Sequence, residues 1–142
     1  MFIGQYSHNL DEKGRVAVPA KFRVQLKSAV VTKGLDNCLF LYPKKEWEKM
    51  AGDIAELPID KSSNRAFSRA MLAGAAELEF DKQGRTILPE YLRKFAGLSK
   101  NVIIAGLYNR LEIWDEVKWN NYQSESEKNY NEIAEALRDI KS

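Results

Sequence analysis

Short apolar runs separated by glycine- and charge-bearing stretches set the rhythm of this chain, and most of them have the length of strands. Phe2 to Leu10 reads as extended. Asp11 to Gly14 reads as a turn, with Gly14 able to take the positive φ that tight turns often need. Val16 and Val18 continue as a strand. Pro19 fits the first position of a helix, where its missing N–H costs nothing, and Phe22, Leu26 and Ala29 give that helix an apolar side. Val30–Thr32 and Cys38–Tyr42 are β-rich runs joined by Lys33-Gly34-Leu35-Asp36-Asn37, a hairpin signal. Pro43 opens a second helix, KKEWEKMAGDIA. Asp60 to Gly74 predicts a connecting helix capped by Ser62 or Ser63, with Ala66, Phe67, Ala70 and Met71 on its buried side. Further on, Gly97 stops the helix YLRKFA, and Asp115 stands where an N-cap is wanted. From Glu116 a long polar helix runs toward the C-terminus with an interrupted apolar stripe of Val117, Trp119, Tyr122, Tyr130, Ile133, Ala134 and Leu137.

The pattern occurs twice. DEKGRVAVPAKFR from Asp11 and DKQGRTILPEYLR from Asp81 share Asp, Gly, Arg, Pro and a second Arg in one register, 70 positions apart. After a two-residue slip, VVTKGLDNCLFLYPKKEW from Val30 aligns with VIIAGLYNRLEIWDEVKW from Val102, 72 positions apart. Val30, Gly34, Leu35, Asn37, Leu39 and Trp47 then meet Val102, Gly106, Leu107, Asn109, Leu111 and Trp119. Each copy reads strand, turn, strand, short helix, strand, turn, strand, helix. A duplicated half-domain implies a pseudo-two-fold object. Two copies at so long a period do not make a solenoid.

At 142 residues the chain suits one domain, or two small lobes sharing a core. No apolar run is long enough for a membrane helix, and the N-terminus lacks the basic-then-apolar pattern of a signal peptide. The single cysteine, Cys38, excludes an intrachain disulfide and fits a reducing interior. The net charge of +2 is unevenly spread: residues 1–50 carry nine Lys/Arg against five Asp/Glu, residues 51–80 three against five, and residues 81–142 ten against ten. The first copy is the basic lobe, a modest lean toward a polyanion.

In D-x-x-G-R the Asp ends one strand, the Gly turns the chain and the Arg begins the next. Asp11 therefore faces Arg15, and Asp81 faces Arg85. A carboxylate beside a guanidinium fixes the direction of its planar fork, and a fork so held suits phosphate or bidentate contact with guanine in a major groove. Lys13 and Lys82 add charge at the turns, and Arg23 and Arg93, one short helix later, are placed to reach backbone phosphates. The competing reading is that the pairs only hold the turns; recurrence of the whole pattern favours function without excluding that reading.

The motif pair, the Pro-started helix and the GL-x-N hairpin resemble the SpoVT/AbrB-type swapped-hairpin DNA-binding domain. The opening FIGQYSHNLDEKGRVAVPAKFR resembles the start of the MraZ family of bacterial transcriptional regulators, and the likeness extends over nearly the whole chain. The resemblance implies an α+β fold of two SpoVT/AbrB-like swapped-hairpin half-domains related by a pseudo-two-fold, with added helices. It implies a cytoplasmic, nucleoid-associated regulator, with repression the expected sign. Its partners would be double-stranded DNA carrying repeated short boxes upstream of the division and cell-wall gene cluster, its own gene included, and further copies of itself in a closed ring. The family's DNA-contacting D-x-x-x-R motif falls on Asp11 and Arg15, and on Asp81 and Arg85. Gln83 stands where the first copy has Lys13, so the second turn is expected to be less basic and the first copy to dominate DNA contact.

The expected division is a first repeat over 5–50, a connecting helical segment over 51–75, a second repeat over 76–119 and a C-terminal helix over 120–142. With one histidine, His8, and one cysteine, no metal site of ordinary ligand count and no Ser-His-Asp or Cys-His constellation can be assembled. His8 is expected as a strand-face residue and Cys38 as a small core residue. Glycine spacing fits no nucleotide-binding motif, so no cofactor, no small-molecule substrate and no enzymatic activity are expected. Trp47, Trp114 and Trp119 are expected as packing anchors or subunit-interface residues, and Tyr122 and Tyr130 fit either role. The rival function is an AbrB-type antitoxin that binds DNA and a toxin protein, the C-terminal helix serving as the toxin-binding tail.

Overall fold

The order of elements in the first half of the chain recurs in the second. Strands β1 (Phe2–Asn9) and β2 (Arg15–Ala17) lead to helix α1 (Ala20–Arg23), which tightens into a 3₁₀ turn over Val24–Leu26. Strands β3 (Ala29–Lys33) and β4 (Leu39–Pro43) and helix α2 (Lys44–Ala55) complete the first copy. Helix α3 (Ser62–Ser68), widening into a π turn over Arg69–Ala73, connects the copies. The second copy comprises β5 (Ala76–Leu78), β6 (Arg85–Ile87), α4 (Glu90–Ala96), β7 (Asn101–Tyr108), β8 (Leu111–Asp115) and α5 (Glu116–Lys128), followed by α6 (Tyr130–Lys141). The computed structural model describes residues 1–141; Ser142, the end of the expected C-terminal segment, lies outside the described residues.

Six strands form one antiparallel sheet in the order β1-β7-β8-β4-β3-β5, and β2 pairs with β6 in a separate ribbon. Exchanging the two copies reverses the sheet order onto itself. The pseudo-dyad passes through the Phe40–Glu112 pair of the sheet and the Val16–Thr86 pair of the ribbon. Every first strand pairs with the third strand of the other copy, β1 with β7 and β5 with β3. The hairpins are therefore exchanged, and neither half holds its own first two strands.

The central strands read as continuous apolar runs because both of their faces are buried. Val31, Leu39, Leu41, Val102, Ile104, Leu111 and Ile113 face the ribbon and the two short helices, against Val16, Val18, Phe22, Leu26, Leu88 and Leu92. Phe40, Tyr42, Ile103, Ala105 and Trp114 face the opposite way, under Ile54 of α2, Met71 and Trp119 of α5. At roughly 1.5–3 kcal/mol for each large side chain buried, these two layers supply the main force holding the ribbon on the sheet.

Several sequence expectations are corrected. The repeat alignment is one residue out on the third strand. Ala29 pairs with Pro43 and Val102 with Asp115, so Ala29, not Val30, is the counterpart of Val102, at an offset of 73 rather than 72. The first hairpin turns through Leu35-Asp36-Asn37, closed by Gly34 N–H to the Cys38 carbonyl, whereas the second turns through Tyr108-Asn109 alone, closed by Leu107 N–H to the Arg110 carbonyl. Pro19 stands one position before α1 rather than in it, and Ala29 belongs to β3. Lys61, not Ser62 or Ser63, holds the cap position of α3, with no side-chain cap bond. Of that helix's expected buried side only Met71 is buried, and Phe67 is exposed. The long C-terminal helix breaks at Asn129. Trp114 and Trp119 are buried against each other, with rings 5.4 Å apart, so they pack within the chain. Along the rest of the expected stripe Val117, Tyr122, Tyr130, Ile133 and Leu137 are exposed.

Candidate nucleic-acid interface

Both turns that feed the ribbon have one geometry. Asp11 N–H donates to the Arg15 carbonyl and Gly14 N–H to the Asp11 carbonyl, each at 3.0 Å. Asp11 Oδ1 accepts from the N–H groups of Lys13 and Arg15, at 2.9 and 2.8 Å, and Oδ2 accepts from Arg15 Nε at 2.6 Å. In the second copy Asp81 Oδ1 accepts from Gln83 and Arg85 N–H and Oδ2 from Arg85 Nε, all at 2.9 Å. The carboxylate thus folds the turn with one oxygen and aims the arginine with the other. These ion pairs are about a third or more open to water and contribute little stability; their effect is directional. Among the described residues no acceptor engages the terminal nitrogens of Arg15 or Arg85, so both forks stay free for bidentate contact.

The backbone and side-chain hydrogen bonds from Arg15 hold the Asp11 carboxyl below its ordinary 3.8, the backbone bond contributing most, against a smaller opposing effect of desolvation. Arg85 does the same for Asp81. Burial, and then the charge of Arg23, lowers the pKa of His8 on β1 below 6.5.

Arg23 and Arg93 serve the opposite copy. Arg23 Nε donates to the Val18 carbonyl at 2.9 Å, and its guanidinium lies against Gly84. Arg93 Nε donates to the Leu88 carbonyl at 2.9 Å, and its guanidinium lies against Gly14. Val18 N–H reaches the Gly84 carbonyl and Leu88 N–H the Gly14 carbonyl, at 3.1 and 2.9 Å. The two turns are cross-latched over the dyad. Their glycines have φ of +83° and +76°, and any side chain there would meet the latching guanidinium as well as the strain of that backbone.

Alternation along the ribbon buries Val16 and Thr86 and turns Arg15, Ala17, Arg85 and Ile87 outward. Arg15 pairs with Ile87 and Ala17 with Arg85, so the two arginines are diagonal neighbours on one face, roughly 7–8 Å apart at the backbone. All eight residues singled out from the sequence, Asp11, Lys13, Arg15, Arg23, Asp81, Lys82, Arg85 and Arg93, lie on the ribbon, at its turns or latched over them. Taken whole, the second turn is not the less basic one: Lys82 replaces Glu12 where Gln83 replaces Lys13, so Asp11–Arg15 sums to zero and Asp81–Arg85 to +1. Ile87 went unmarked in the sequence, although period-two alternation from Arg85 places it on the arginine face.

Two hairpins exchanged about a pseudo-dyad, each aiming an arginine outward from one ribbon, define an α+β protein of two swapped-hairpin half-domains. Residues 1–70 and 71–140 each match the family model described as "MraZ protein, putative antitoxin-like". The chain is 53% identical over 141 residues to Transcriptional regulator MraZ of Natranaerobius thermophilus, with 99% of each chain covered. It is 51% identical, at the same coverage, to Transcriptional regulator MraZ of Carboxydothermus hydrogenoformans, and 48% identical to that of Lactobacillus johnsonii. The chain belongs to the MraZ family. No described helix is long and apolar enough to cross a membrane.

Proposed function

We propose that this protein is a sequence-specific DNA-binding transcriptional regulator that inserts the β2/β6 ribbon into the major groove. The observation that carries this reading is the pair of arginines held by Asp11 and Asp81 on one exposed ribbon face, with their terminal nitrogens free. A two-stranded ribbon fits the major groove, and a bidentate arginine fork matches the O6 and N7 edge of guanine. Lys13 and Lys82 at the turns neutralise phosphates. Arg23 and Arg93 keep the turns in place, and their terminal nitrogens add to phosphate contact. The repeats over 5–50 and 76–119 carry the ribbon, the segment over 51–75 connects them, and the C-terminal helices over 120–142 serve assembly.

The names of the relatives support this reading, each being a transcriptional regulator. In it the target is a set of repeated short boxes upstream of the division and cell-wall gene cluster, including the protein's own gene. The sign is repression, the protein acts as a ring of protomers, and the site is the nucleoid. It acts by occupying DNA rather than by catalysis. The test is a gel shift with DNA from upstream of the protein's own gene, repeated across salt concentrations. A shift that survives excess unrelated DNA and weakens linearly in log affinity against log salt is expected. Equal competition by unrelated DNA would refute specific recognition.

A second reading is an antitoxin, favoured by the exposed apolar stripe Tyr130, Ile133 and Leu137 on α6 and by the family's antitoxin-like description. It requires a toxin protein that docks on α6. Growth rescue by this chain that disappears on changing Ile133 and Leu137 to Ser would favour it.

A further inference from the structure

We infer that Ile87 is a specificity-determining residue which packs on the C5-methyl group of a thymine beside the guanine held by Arg15. The inference rests on the major-groove reading above and extends it to one base. An isolated exposed isoleucine on a protein surface needs no explanation; this one is distinguished by its place. Ile87 is 57% exposed, on the outward face of the ribbon, directly opposite Arg15 in the β2/β6 register. Its side chain and the Arg15 fork therefore stand side by side and reach the same stretch of groove. Each base step there offers either hydrogen-bonding edges or, at thymine, a methyl group beside the O4 acceptor. An aliphatic side chain alongside a guanine-reading arginine matches a methyl and offers nothing to a polar edge.

The pseudo-symmetric mate of Ile87 is Ala17, which stands opposite Arg85. Alanine reaches less far from the strand, so the thymine contact belongs to one half of the ribbon only. The reading face is thus polar in the directional sense: Arg15 with Ile87 at one end, Arg85 with Ala17 at the other. A protomer so built sits on its box in one orientation and reads a sequence that is not its own reverse complement.

The experiment replaces each thymine of the bound box, one at a time, by deoxyuridine, which deletes only the C5-methyl. Affinity is measured by fluorescence anisotropy at fixed salt for the wild type, Ile87→Ala and Arg15→Ala. Alanine already occupies the equivalent position 17, so the ribbon accommodates it, and Ile87→Gln provides a second variant that also lacks the aliphatic contact. One thymine is expected at which deoxyuridine weakens wild-type binding about fourfold, the value of one buried methyl, and weakens binding by Ile87→Ala and Ile87→Gln not at all. If no position distinguishes the wild type from both Ile87 variants while Arg15→Ala loses the box, the groove reading stands and the role of Ile87 is wrong. If Arg15→Ala binds as the wild type does, the groove reading itself fails.

Discussion

Asp11 and Asp81 divide their two oxygens between backbone and arginine, and this division makes a four-residue turn into an aiming device. Because the guanidinium is gripped at Nε, its outer edge is presented without the entropy that a free arginine would lose on contact. Arg15→Ala and Arg85→Ala are each expected to lower specific affinity by roughly 1–3 kcal/mol per box, with an unchanged melting temperature. The two losses should be comparable, since the turns share one geometry and the second is no poorer in charge; anisotropy titrations beside circular-dichroism melts check both. The pH dependence follows from the same carboxylates. Their folded-state pKa values lie below 3.8, so the stability they give is present above that pH and is lost as pH falls through the folded values. His8 acts in the same sense, its folded value lying below 6.5, so stability also declines as pH falls below 6.5. Thermal melts across pH should show the upper decline removed by His8→Gln and the lower one reduced in Asp11→Asn/Asp81→Asn. The Asp–Arg pairing was legible in the sequence because it spans one turn. That Arg23 latches the turn of the other copy was not, because it depends on how two distant segments cross.

At the scale of elements, the ribbon is held from beneath by Val16 and Thr86 at the dyad. Both are buried, but the Thr86 hydroxyl has no hydrogen-bond partner among the described residues. A buried donor left unpaired costs about 1–3 kcal/mol. Thr86→Val keeps the branched shape and is expected to raise the unfolding free energy measured in urea by about 1 kcal/mol while leaving DNA affinity intact; a lower unfolding free energy would show that the hydroxyl has a role in holding the ribbon. Strands and their order were read from short apolar runs, because burial on both faces leaves that signature. The offset between third strands was misread because the loops that differ, three residues against two, carry the same Gly-Leu and Asn in sequence. The buried side of α3 was misjudged for a related reason. Apolar residues recurring four apart there mark a helix, yet of those expected on its buried side only Met71, in the widened last turn, reaches the back layer, with Leu72 packed partly against it, and Thr32 Oγ1 donates to the Met71 carbonyl at 2.7 Å.

For the whole molecule, the duplication places two arginines on one face but gives a protomer with a net charge of only +2. Each neutralised phosphate contributes a slope of roughly −0.9 to log affinity against log salt, and the two turns of one ribbon engage few phosphates. A single protomer on a single box must therefore be weak at physiological salt. Strong binding requires several ribbons fixed relative to one another, so that the second and later boxes are engaged at high effective concentration, a gain of about 10²–10⁴. Trp114 and Trp119 are spent inside the protomer, which leaves Val117, Tyr122, Tyr130, Ile133 and Leu137, among the described residues of the C-terminal helices, as aromatic and aliphatic side chains still open to another copy. A homo-oligomer is expected in light scattering at micromolar concentration, and it should bind DNA with several correctly spaced boxes at least 10²-fold more tightly than DNA with one. Moving a box by half a helical turn should abolish that gain without changing the affinity for a single box. A monomer in solution, with equal affinity for one box and for several, would mean that the ribbon alone carries the recognition and that assembly plays no part in it.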